Sequence, residues 1–172
     1  MVNPLRREIL APGQAEIAII GSSSIPSSMM DGLRVGRLFA TLDESEYYGL
    51  MDQAHCGTIS PNQELTRQGK TVEFVHFILK GKARAEIWAQ ATGRSWAVVD
   101  MLGPGDSVGL LSILDGAPHS ATVIAMDQLE VVSVPLGAVQ AGLLNHPEWY
   151  RILAEEAVPR LRNSGKWLQT LL

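Results

Sequence analysis

The sequence predicts a mainly β domain, a β-barrel or jelly roll, with helices at its flanks. Short β-prone runs recur between turn signals from residue 55 to residue 135, a spacing that suits antiparallel strands rather than alternating βα units. Lys80, Gly81 and Lys82 separate two of these runs, 73–79 and 83–90, in the manner of a hairpin turn. Helical periodicity is confined to the two ends, 37–54 and 137–172.

Residues 1–35 read as an arm outside the domain. Gly21, Ser22, Ser23, Ser24, Ile25, Pro26, Ser27 and Ser28 have linker composition. The arm is either a free tail or a segment that docks on a partner subunit. The domain itself spans 36–145. Leu38, Phe39, Leu42, Leu50 and Met51 recur at helical spacing, and Thr41 followed by Glu44 spells a capping box for a helix starting near Leu42.

Strand 55–59 leads through Ser60, Pro61 and Asn62 into strand 63–67, which ends at Gln68, Gly69 and Lys70. After the hairpin 73–90, Ala91, Thr92, Gly93 and Arg94 turn the chain into strand 95–101. Trp88 and Trp96 flank that turn, where they are placed to pair across the strands. Gly103, Pro104, Gly105 and Asp106 make a tight turn, since proline presets φ and the glycines permit φ > 0. The apolar run 108–114 suits one or two buried helical turns, and Asp115, Gly116, Ala117 and Pro118 close it. Strands 120–126 and 130–135 flank Asp127 and Gln128.

The segment 146–172 is helical, after a shorter helix 137–144 that stops at Asn145, His146 and Pro147. Pro159 should kink or interrupt the longer helix, because it lacks an N–H and its ring crowds the carbonyl four residues back. Val158, Leu161, Gly165, Leu168 and Leu172 keep a/d spacing across two heptads.

Composition narrows the function classes. The chain is 46% hydrophobic and 19% charged, as expected of a globular domain rather than a disordered one. Fourteen Lys and Arg against 18 Asp and Glu leave a net charge of −4, which disfavours a general nucleic-acid surface. The single cysteine, Cys56, excludes an intrachain disulfide framework and an all-cysteine metal site. No run of about 18 apolar residues occurs, and Glu8 and Glu16 interrupt any leader-like stretch. The expectation is a cytoplasmic protein with no membrane segment. His55, His76, His119 and His146 have no metal-ligand spacing, no Gly-x-Ser-x-Gly or Walker loop occurs, and no catalytic set is visible, so an enzyme is not expected.

Two stretches carry a resemblance. One is Val75, His76, Phe77, Ile78, Leu79, Lys80, Gly81 and Lys82; the other runs from Gly105, Asp106, Ser107 and Val108 through Gly109, Leu110, Leu111 and Ser112 to Pro118, His119, Ser120, Ala121, Thr122 and Val123. They resemble the strand–turn–strand and the phosphate-binding cassette of the cyclic-nucleotide-binding domain family, found in the CRP/FNR regulators, protein kinase A regulatory subunits and cyclic-nucleotide-gated channels. The resemblance covers roughly residues 38–172 and implies a double-stranded β-helix, the jelly-roll or cupin-like β-roll, of about eight short strands with C-terminal helices. It also implies a long C-terminal helix that pairs two subunits as a homodimer and closes over a small-molecule effector.

The departures bear on chemistry. The family's cassette glutamate, which accepts from the ribose hydroxyl, falls on Leu110, and its phosphate-pairing arginine falls on His119. Leucine has no acceptor, and a neutral imidazole offers one donor where arginine offers a charged fork. The candidate ligand-binding residues are Gly109, Leu110, Leu111, Ser112, His119, Ser120 and Ala121. Their expected ligand is a cyclic nucleotide (cAMP or cGMP) held weakly, or another small anion, contacted by His119 and by the backbone donors of 109–112. The favoured function is a regulatory ligand-sensing module. A dimerisation scaffold that kept the fold and lost the site predicts a cavity plugged by Leu110 or Leu111. The third reading is the sensor half of a CRP/FNR-like transcription regulator, since no DNA-binding domain is visible in this chain.

Overall fold

The computed structural model describes residues 26–34, 36–89 and 95–170. The chain opens with helix α1 (Ser27–Arg34), a 3-10 turn (Phe39–Thr41) and α2 (Glu44–Met51). Strands β1 (His55–Ile59), β2 (Glu64–Thr66), β3 (Phe74–Lys80), β4 (Ala83–Ala89), β5 (Ser95–Leu102) and β6 (Ser107–Val108) follow. Then come α3 (Leu110–Asp115), β7 (Thr122–Ala125), β8 (Leu129–Pro135), α4 (Leu136–Asn145) and α5 (Glu148–Thr170).

Among the described residues, the strands form two antiparallel four-stranded sheets, ordered β1-β8-β3-β6 and β2-β7-β4-β5. This is the expected β-roll. Ile59, Ile78, Ala83, Val99, Val108, Val123, Leu129 and Val131 fill the space inside it. A second cluster, including Phe39, Tyr47, Met51, Val75, Phe77, Val132, Val134, Trp149 and Leu153, packs the helices on the outer face of the first sheet. Strand β8 is therefore covered on both faces, and its apolar run lacks the polar alternation of a half-solvated strand for that reason.

The hairpin expected over 73–90 does not form: β3 pairs with β8 and β6, β4 pairs with β5 and β7, and the link between them carries the chain from one sheet to the other. The chain makes that turn at Gly81, with φ of 88°. A Cβ there would come 2.4 Å from the carbonyl oxygen of Gln128, so only glycine fits. Trp88 and Trp96 do pair across β4 and β5, with ring centroids 5.2 Å apart at 62°. The turn at 91–94 lies outside the described residues.

Local details at the helices differ from expectation. Helix α1 falls inside the stretch read as an arm; its Leu33 is buried in the helix-side cluster, and the Tyr47 hydroxyl donates to the Met30 carbonyl at 2.7 Å. Capping of α2 is by Asp43, not Thr41. Asp43 Oδ1 accepts from Glu46 N (2.9 Å) and Glu46 Oε2 accepts from Asp43 N (3.0 Å). Thr41 is taken by tertiary bonds instead, donating to Leu38 O (2.7 Å) and accepting from Trp149 Nε1 (2.7 Å). Helix α5 runs through Pro159 without interruption. Buried Ile152, Leu153 and Ala157 before the proline and the bonds of Arg160 after it dock both sides of that position, which offsets the lost backbone bond.

Candidate ligand-binding cavity

A cavity of about 230 Å³ opens between α3, the 119–121 segment, the β4–β5–β7 sheet and α5. It is somewhat smaller than the roughly 300–1,000 Å³ typical of small-molecule sites. The seven residues singled out from the sequence, Gly109, Leu110, Leu111, Ser112, His119, Ser120 and Ala121, all line it. Gly109 starts α3 from a left-handed conformation, φ 93°. A Cβ there would sit 3.1 Å from Phe74 O and 3.4 Å from Val72 Cγ1, so glycine is required where the cassette crosses β3. Leu110 is buried and joins the helix-side core, while half-buried Leu111 packs against the same cluster. The cavity stays open with both leucines in its wall.

His119 is held by its backbone. Its N–H donates to Lys70 O (2.9 Å) and its carbonyl accepts from Gly69 N (2.8 Å). Burial lowers the ring's pKa from the ordinary histidine value, so the imidazole is neutral near pH 7. His76 lies near it on β3, fully buried, with Nδ1 2.8 Å from Ser133 Oγ. Burial first, and His119 second, push His76 down to about 3.

That depression has a stability consequence. Between the unfolded value of 6.5 and about 3, the unfolded chain binds a proton that the folded chain refuses. The stability associated with neutral His76 is complete above the unfolded value and is lost as pH falls below it. Unfolding free energy should drop by roughly 2 kcal/mol between about pH 7 and pH 5 from this group alone. Urea titrations at both pH values check this: His76→Gln should flatten the slope, and an unchanged slope in that variant removes His76 as its source.

The sequence reading missed Arg160 and Asp106. Arg160 lines the cavity from α5, donating Nη1 to Ser107 O (2.5 Å) and Nη2 to Asp106 Oδ1 (2.6 Å). No other lysine or arginine among the described residues lines the cavity. Ala157, Arg160 and Leu161 lie at i, i+3 and i+4 and all three line it, a spacing that was available to notice. Asp106 had been read as a turn residue and as part of the cassette resemblance, with no contact to α5.

Cys56 is buried on β1, its thiol pushed up to about 11 by desolvation, which leaves it unreactive. Among the described residues, no group of three or more His, Cys, Asp and Glu is placed to hold a metal ion. No described helix is long and apolar enough to cross a membrane.

The β-roll, with its cavity between a short cassette helix and a long C-terminal helix, defines a ligand-binding regulatory domain. The sequence profile of the cyclic nucleotide-binding domain matches residues 57–146, and the chain belongs to that family. Among solved structures, it is similar to the regulatory domain of Toxoplasma gondii protein kinase A crystallised with cAMP, at 24% identity and a TM-score of 0.60 over 67% of this chain and 43% of that one. The regulatory subunit of a cAMP-independent protein kinase A from Trypanosoma cruzi, bound to guanosine, matches with 19% identity and a TM-score of 0.67 over 84% of this chain and 50% of that one. The sensor domain of the transcriptional regulator DNR from Pseudomonas aeruginosa matches with 14% identity and a TM-score of 0.67, over 77% and 89% of the two chains. At these identities the likeness is one of fold. A curated relative, lysophospholipase nte1 of Aspergillus fumigatus, is 27% identical over 89 residues, 52% of this chain and 6% of that protein. The chain thus spans a small part of that relative and under half of the Toxoplasma chain.

Proposed function

We propose that this chain is a regulatory ligand-sensing module, a binder rather than a catalyst, with weak affinity for cAMP and cGMP. The carrying observation is an open cavity whose cassette presents Leu110 and a neutral His119 where the family presents glutamate and arginine. Each lost charge-assisted bond is worth about 1.5–3 kcal/mol, so the pair weakens a cyclic nucleotide by about two to four orders of magnitude. An open cavity with Leu110 and Leu111 in its wall supports the sensing reading over a scaffold whose site is plugged. The cAMP-independent Trypanosoma subunit bound to guanosine supports a fold that accommodates other ligands. Exposed Val158 and Leu161 on α5 support a homodimer through that helix.

Calorimetric titration with cAMP and cGMP tests the reading, with light scattering on the same sample to weigh the assembly. Weak binding by a dimer is expected. Binding should tighten as pH falls below the usual imidazole range, because burial lowers His119 from its ordinary value and protonation then adds a charge at the site. Family-typical affinity at neutral pH would sink the weak-binding claim, and a monomeric mass would sink the dimer.

A further inference from the structure

The cavity draws its positive charge from α5 rather than from the cassette. Arg160 is the cation in its wall, and it donates to Asp106, in the turn before β6, and to Ser107, at the start of β6 ahead of the cassette. Asp106 is fixed there by that turn: Oδ2 accepts from Gly103 N (2.8 Å), and its own N–H donates to Gly103 O (3.0 Å). The Arg160 side chain keeps 25% of its surface exposed and that of Asp106 keeps 38%, so an incoming anion can compete for the guanidinium. Glu156, one turn earlier on α5, faces the same guanidinium, and burial raises its carboxyl above the ordinary value.

We propose that Arg160 is the anion receptor of this site, held in reserve by Asp106. A ligand carrying a phosphate or carboxylate binds by taking Arg160 from Asp106. The exchange frees α5 from the cassette turn. The inference rests on the reading that the cavity takes a small ligand. A planar guanidinium fork matches a phosphate or carboxylate, and its Nη1 and Nη2 are already given to Ser107 O and Asp106 Oδ1, so a ligand that takes both must displace Asp106. Binding is therefore weakened by the standing ion pair, and the displaced contact is the differential interaction that couples occupancy to the helix.

The test titrates cAMP, cGMP, adenosine and guanosine into the wild type, Arg160→Gln and Asp106→Asn. Asp106→Asn keeps an oxygen for Gly103 N and removes the competing charge, so it should bind the cyclic nucleotides about tenfold more tightly, or better. Arg160→Gln should bind them no better than the uncharged nucleosides, and added salt should erase the wild-type preference for the anions. Hydrogen exchange supplies a second readout that survives any folding defect in Arg160→Gln. Asp106→Asn without ligand should exchange faster than wild type across 158–165, and unchanged exchange overturns the latch. If Arg160→Gln binds cyclic nucleotides as wild type does, Arg160 is not the receptor, while the sensing reading stands. Silence toward all four ligands in all three proteins overturns the inference together with that reading.

Discussion

Trp149→Ala is expected to destabilise the protein by about 3–5 kcal/mol. Trp149 is 1% exposed at the start of α5, its indole N–H donates to Thr41 Oγ1 at 2.7 Å, and its ring stacks on His146 with centroids 5.5 Å apart. A Cβ on Gly142 would lie 2.5 Å from Trp149 Cζ3, so the ring rests on the α4 backbone where glycine leaves room. Removing the ring opens a void at the elbow of α4 and α5 and takes away the indole N–H that Thr41 Oγ1 accepts. The loss corresponds to a fall in Tm on the order of 10 °C for a chain of this size. Denaturant unfolding measures it, and a loss under about 1 kcal/mol would show that the elbow closes without the wedge. The elbow matters for function because it aims Ala157, Arg160 and Leu161 at the cavity.

Restoring the family's charged pair should have the largest effect on binding. Leu110→Glu combined with His119→Arg is expected to raise cAMP affinity by about two to four orders of magnitude, two charge-assisted bonds at 1.5–3 kcal/mol each. The backbone bonds of His119 to Lys70 and Gly69 do not involve its side chain, so the segment should tolerate arginine. Leu110 is 4% exposed, so a carboxylate there is a cost while the site is empty. The double variant should therefore unfold more easily than wild type without ligand and recover stability with cAMP, by about 2.7 kcal/mol at a hundredfold excess over Kd. Thermal shift and calorimetry read both halves. Unchanged affinity would show that the shape of the cavity, rather than these two side chains, limits binding.

The fold was legible in the sequence because strand-and-turn chemistry is local. Gly81 between two β-prone runs, the Trp88–Trp96 pair and Gly109 before a short apolar run each declare their geometry within a few residues. Seven cavity residues were legible because they lie in one contiguous cassette. Helix ends were less so. Thr41–Glu44 and Asp43–Glu46 both have capping-box spacing, and Trp149, 108 positions from Thr41, occupies the threonine. Helix α1 was not legible because the helix propensity of 27–34 is modest, and burial of Leu33 against the core supplies what the local sequence lacks.

By itself, the sequence determined a β-barrel or jelly roll, from the local spacing of strands and turns, and its resemblance to the family placed Leu110 and His119 at the two positions that carry charged side chains there. The tertiary structure decided what those losses leave behind. It placed Arg160 on Asp106 across 54 positions, buried His76 beside His119, and carried α5 through Pro159. These outcomes depend on desolvation and on partners brought together by folding, and neither is encoded within one stretch of chain.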